Sequence, residues 1–136
     1  MGAHVVAIDH DRARLDAVKE NAATAGVNVM TQEGDLTTVE IPKSSFDVVM
    51  IFNYLDRKRM PEFLDAVKPG GYLIFETFME GQQAFGWGPK SENHLLKPGE
   101  IRRLIEPFQL IFLREVIEPV DSLTAVLGSV VAQRSL

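Results

Sequence analysis

The sequence predicts an α/β protein: a mostly parallel sheet layered with helices and finished by a C-terminal antiparallel hairpin. Three observations predict it. Strand-like and helix-like segments alternate from Ala3 to Glu106. The run Phe46–Phe52 is apolar after its second residue, as strands covered on both faces of a parallel sheet are. Two β-rich segments at the C-terminus are separated only by a short turn.

The elements follow in order. Ala3–Asp9 reads as a strand ending in an acid. A helix runs from Asp11 to about Ala25, with Leu15, Val18, Ala22 and Ala25 on one face at three- and four-residue spacing, and Gly26 as its stop. Val27–Gln32 is a short second strand and Phe46–Phe52 a third. Pro61 suits the first turn of a helix carrying Phe63, Leu64 and Val67, which Lys68-Pro69-Gly70-Gly71 ends. Tyr72–Thr77 is the fourth strand. Met79–Lys97 is polar and glycine-bearing, long for a connection, and suggests a lid with Phe85 and Trp87 over a substrate; the alternative is that Trp87 fills a satellite core. A helix over Pro98–Glu106 turns Ile101, Leu104 and Ile105 inward. Strands Leu110–Ile117 and Thr124–Gln133 meet through a turn at Pro119–Ser122. No repeat or linker divides the pattern, so residues 1–136 are expected to form a single domain.

Composition narrows the function. The chain has 136 residues, 46% hydrophobic and 24% charged, as ordinary globular domains have. A net charge of -5 argues against nonspecific binding to nucleic acid or an anionic membrane. There is no cysteine, which removes thiolate chemistry, and the three histidines show no metal-ligand spacing. No apolar run approaches the ~20 residues of a membrane helix. No leader is visible, and a cytoplasmic location is expected.

In an open parallel sheet, ligands bind beyond the carboxyl ends of the strands. Asp9, Asp35, Asn53-Tyr54 and Glu76-Thr77 fall there. An acid at the position of Asp9 suits a bidentate bond to a ribose diol; alternatively Asp9 or Asp11 caps the next helix. Gly34-Asp35 is also a common turn pair, and Asn53-Tyr54 could be only a polar strand end. Asp56-Arg57-Lys58-Arg59 could attract an anion or could be a solvated helix start. His94 is the histidine best placed for proton work, although a lone loop histidine is commonly just exposed.

Several pieces resemble one family. They are His4–Asp9, Glu33-Gly34-Asp35-Leu36, Phe46–Ile51, Val67-Lys68-Pro69-Gly70-Gly71-Tyr72-Leu73-Ile74, and the final strand Ala125–Arg134. In this order the chain resembles a class I S-adenosylmethionine-dependent methyltransferase from that family's second strand to its end. Leu95–Leu104 is most similar to the tellurite-resistance-type branch. The resemblance implies a three-layer Rossmann-like sheet and S-adenosylmethionine as cofactor. It implies cofactor contacts from Asp9, Asp35, Leu36 and Asn53, with Asp35 accepting from the adenine amino group. Tyr54 would stack on the adenine or close over the methyl donor, and Glu76 or His94 would accept a proton from a small-molecule nucleophile. The sulfonium is already activated, so alignment and exclusion of water carry most of such a transfer.

The chain departs from the family in one respect. Its first strand and glycine-rich loop have no counterpart, since only eight residues precede Asp9 and the loop belongs about 20 residues earlier. Relative to the family the fold is N-terminally truncated, and the strands ending at Asp9 and Phe52 lose the strand between them. Three repairs are expected as alternatives: contraction to the order 2-1-3-4-6-5, strands supplied by a second chain, or a longer native protein. A homodimer is the preferred expectation, because exposed apolar surface needs cover. Two functions remain: methyl transfer, or a non-catalytic remnant of the fold acting as an oligomerisation or binding module.

Overall fold

The computed structural model describes residues 2–136. They fall into two compact units, the first ending at Glu40 and the second Ile41–Leu136.

The first unit is a βαβ piece. Strand β1 (Val5–Asp9) and strand β2 (Val29–Glu33) pair in parallel, with Val5 opposite Val29 and Asp9 opposite Glu33. Helix α1 (Arg12–Ala25) crosses between them. Its N-cap is Asp11, whose carboxylate accepts from the Ala13 and Arg14 amides. Gly26 ends it in the left-handed region at φ 72°, where glycine costs least. Leu15 and Ala22 are buried on the predicted face and Val18 is half-buried, but Ala25 is exposed.

The second unit carries the main core. Strands β3 (Phe46–Phe52), β4 (Val67–Phe78), β5 (Gln109–Val120) and β6 (Leu123–Gln133) form a sheet in the order β3-β4-β6-β5. β3 and β4 are parallel; β4–β6 and β5–β6 are antiparallel. Helices α2 (Met60–Ala66) and α3 (Glu100–Leu104) supply the other layer. Phe75, Leu73, Val130 and Ala132 of the sheet pack with Met60, Phe63, Leu64, Leu96, Ile101 and Ile105 in one core. Side chains alternate along β3: Val49 and Ile51 pack against that core, while Val48, Met50 and Phe52 are exposed.

The sheets β1-β2 and β3-β4-β6-β5 belong one to each unit. Two details differ from the sequence reading. Val67 is strand rather than helix. It pairs with Phe46, whereas the next match is Val48 with Tyr72, so Lys68–Gly71 bulge out of the ladder. Gly70 there takes φ 80°, and a Cβ on Gly71 would lie 2.6 Å from the Asp47 carbonyl oxygen. The Lys-Pro-Gly-Gly piece is therefore a strand bulge, the place where proline and glycine are tolerated in a sheet, and not a helix stop. The hairpin is also tighter than expected. Pro119 and Val120 pair with Thr124 and Leu123, leaving Asp121-Ser122 to turn, with Asp121 at φ 55°.

Candidate functional site

In the first unit the strand ends bring Asp9 and the 34–36 turn together. The Gly34 amide donates to the Asp9 carbonyl at 3.1 Å. One Asp9 carboxylate oxygen accepts from the Asp11 amide at 2.8 Å, which fixes the side chain at the end of β1. The other lies 3.9 Å from Arg14, at the edge of ion-pair range. Of the two, it is Asp11 that caps α1, while the Asp9 carboxylate is held at the end of β1 by the Asp11 amide. The side chain of Asp9 is 28% exposed, enough for a ligand to reach it. Asp35 is drawn into turn chemistry. Its Oδ1 accepts from both the amide and the hydroxyl of Thr37, at 2.9 and 2.6 Å. Leu36 is half-buried beside it.

In the second unit Asn53 and Glu76 meet at the carboxyl ends of β3 and β4. The Asn53 amide donates to the Glu76 carbonyl at 2.9 Å. Asn53 is left-handed at φ 55°, a conformation asparagine tolerates better than most residues, and its side chain is exposed beyond the strand. The Tyr54 hydroxyl donates to Asp56 at 3.1 Å, and its ring packs edge-on to Phe63.

The Glu76 carboxylate is engaged across the sheet. The Ser129 hydroxyl donates to it, and Arg114 lies 3.7 Å away while also pairing with Glu118. His94 is exposed on a short 3-10 turn, Glu92–His94.

The Met79–Lys97 segment is fastened rather than loose. Met79 bridges Leu96. The Gln82 side chain is fully buried, accepts from the Val126 amide and donates to the Trp87 and Thr124 carbonyls. The Trp87 indole donates to the Thr124 carbonyl at 2.7 Å and packs edge-on to Phe78. This fits the satellite-core alternative for Trp87; Phe85 alone of the pair is exposed.

Sequence reasoning missed Arg57. The Asp56–Arg59 cluster is not a solvated helix start, for only Lys58 is exposed. Arg59 is 8% exposed, pairs with Glu62 and lies over the Phe63 ring. The Arg57 guanidinium donates to both oxygens of Glu100, at 2.6 and 2.9 Å, and to the carbonyls of Asn93 and Leu95. That fork holds the Glu100 carboxyl below the usual glutamate range and raises the arginine above its own. The partners are 43 residues apart, and no local pattern marks them. Among the described residues no group of three or more His, Asp or Glu could hold a metal ion, and no helix is long and apolar enough to cross a membrane.

A βαβ start, parallel strands carrying polar residues at their carboxyl ends, and an antiparallel C-terminal pair define an α/β fold of the methyltransferase type. The methyltransferase-domain family matches residues 1–71, and the chain belongs to it. Solved structures agree on the fold. TehB from Haemophilus influenzae is 15% identical with a TM-score of 0.77, over 98% of this chain and 51% of that one. A SAM-dependent methyltransferase from Methanosarcina mazei is 17% identical with a TM-score of 0.73, over 98% and 82%. One from Mesorhizobium loti is 16% identical with a TM-score of 0.70, over 98% and 81%. The chain thus spans about half the length of TehB. No curated protein matches it in sequence.

Proposed function

We propose that this chain performs, or forms part of an enzyme that performs, S-adenosylmethionine-dependent methyl transfer to a small molecule in the cytoplasm, as a homodimer. The observation that carries the reading is Asp9. It sits at the end of a parallel strand within the matched residues, its carboxylate is oriented by the Asp11 amide, and one oxygen is left to accept. This chemistry fits a ribose diol.

Asp9 would take the ribose hydroxyls, with Asp35 and Leu36 flanking the base. Asp35, whose Oδ1 already accepts from Thr37, would face the adenine amino group. Asn53 and Tyr54 would line the transfer side, and the cofactor would supply an activated methyl group. His94, exposed, is a better candidate proton acceptor than Glu76, which Ser129 and Arg114 already engage.

Titration of the purified chain with S-adenosylhomocysteine, beside Asp9→Ala, tests the reading. Binding near micromolar strength that falls about 10- to 100-fold in Asp9→Ala is expected, for loss of hydrogen bonds to a charged acceptor. Absence of heat up to millimolar ligand would favour the remnant reading, a binding module without cofactor.

A further inference from the structure

We propose that Arg57 is a positioning residue that locks the backbone on both sides of His94 to the segment following Asn53-Tyr54. The inference rests on the methyl-transfer reading, but its geometry stands by itself. One guanidinium accepts no competing role. Nε and Nη2 grip the two oxygens of Glu100 at the start of α3, Nη2 also reaches the Leu95 carbonyl at 2.8 Å, and Nη1 reaches the Asn93 carbonyl at 3.2 Å. The two carbonyls belong to the neighbours of His94 in the chain. Glu100 completes the lock from its own side by accepting from the Lys97 amide at 2.9 Å.

The connection after β3 is joined at this point to the turn around His94 and to α3, whose Glu100 lies 43 residues further on. The Glu100 side chain is 10% exposed and that of Arg57 32%, so the pair is shielded from solvent and only weakly screened. A planar fork with five donors can serve a carboxylate and two carbonyls at once, whereas lysine, with one nitrogen, cannot span them. The rest of the long segment is held elsewhere, by Gln82 and Trp87 on Thr124 and Val126 of β6. Leu96 is pinned independently by its bridge to Met79, so Arg57 acts on the backbone immediately around His94. In function, the lock fixes the residue best placed to receive a proton relative to the strand-end pair that would line the transfer site.

Hydrogen exchange of the full chain tests this, with Arg57→Lys, Glu100→Gln and the exposed control Lys58→Ala. Expected for Arg57→Lys is exchange at the amides of His94, Leu95 and Lys97 faster by about ten-fold or more, with Leu96, bonded to the Phe78 carbonyl, and β4 and β6 changed by less than about two-fold. Glu100→Gln keeps one acceptor and should fall between wild type and Arg57→Lys; Lys58→Ala should match wild type. In parallel, the His94 ring proton, followed by NMR, should shift in Arg57→Lys and return part-way in Glu100→Gln. Uniform acceleration through residues 41–136 would reduce Arg57 to a general stabiliser and overturn the proposal. So would unchanged exchange at His94, Leu95 and Lys97. If Arg57→Lys does not fold, Glu100→Gln alone decides between these outcomes. None of these readouts requires cofactor, so failure of the lock and failure of the methyl-transfer reading are separable.

Discussion

Replacing Gly71 by alanine should destabilise the second unit more than any other glycine-to-alanine change outside the buried hairpin strand. The added Cβ would sit 2.6 Å from the Asp47 carbonyl oxygen, 2.8 Å from Val67 Cγ1 and 2.9 Å from the Lys68 carbonyl oxygen. Two of the three are backbone atoms, and the same bulge is tied to the C-terminal strand by the Arg134 amide donating to the Gly71 carbonyl at 2.9 Å. Nothing there can rotate aside. Overpacking of this kind costs about 3 kcal/mol, and for a unit of this size each kcal/mol lowers the melting temperature by about 4–8 °C, so a fall of about 12–24 °C is expected. The comparison is Gly86→Ala, where φ is +73° but no atom lies within 4 Å. That change should cost only the left-handed penalty, about 1–2 kcal/mol. Thermal and urea melts followed by circular dichroism read both. A Gly71→Ala protein as stable as wild type, or less affected than Gly86→Ala, would refute the steric argument for the bulge.

Acid sensitivity should centre on the Arg57–Glu100 pair. Arg57 lowers the folded-state pKa of Glu100, so the pair's stabilisation is fully present above the ordinary glutamate range of about 4.3 and is lost as pH falls through the lower folded value. Melting temperature against pH should therefore drop less steeply below about pH 4.3 in Glu100→Gln than in wild type. Trp87→Phe should cost about 1 kcal/mol, because it leaves the ring packing on Phe78 but removes the indole bond to Thr124. Denaturant melts measure it. Sedimentation at micromolar concentration tests the proposed homodimer, and a single 15.2 kDa species would exclude it.

The parts of the fold legible in sequence were those whose cause is local. The α1 cap at Asp11 and stop at Gly26, the apolar run of β3, and Ile101 and Ile105 facing inward all follow from spacing or from one residue's preference. What escaped was set by distant partners. Val67 fits a helical period, but pairing with Phe46 makes it strand. Arg57 and Arg59 look like a soluble cluster until Glu100 and the Phe63 ring are placed beside them. Near the strand ends, the positions of Asp9 after β1 and Asn53 after β3 were legible because strand ends are predictable. The partners of Glu76, Ser129 and Arg114, were not, because they lie more than thirty residues away in the chain.

Strand β3 also bears on how the protein behaves in a test tube. Val48-Val49-Met50-Ile51-Phe52 is uncharged and free of proline and glycine, and within the second unit it pairs with β4 alone. Across the same sheet, β5 carries the devices that discourage unwanted pairing: a bulge between Leu110 and Phe112, the charges of Arg114, Glu115 and Glu118, and Pro119. β3 has none of them in that stretch. Apolar ribbons of this composition are the segments that stack as cross-β where their edges are exposed. Aggregation on concentration, ageing or freeze–thaw should therefore start at this strand, and light scattering of Met50→Lys beside wild type reads it.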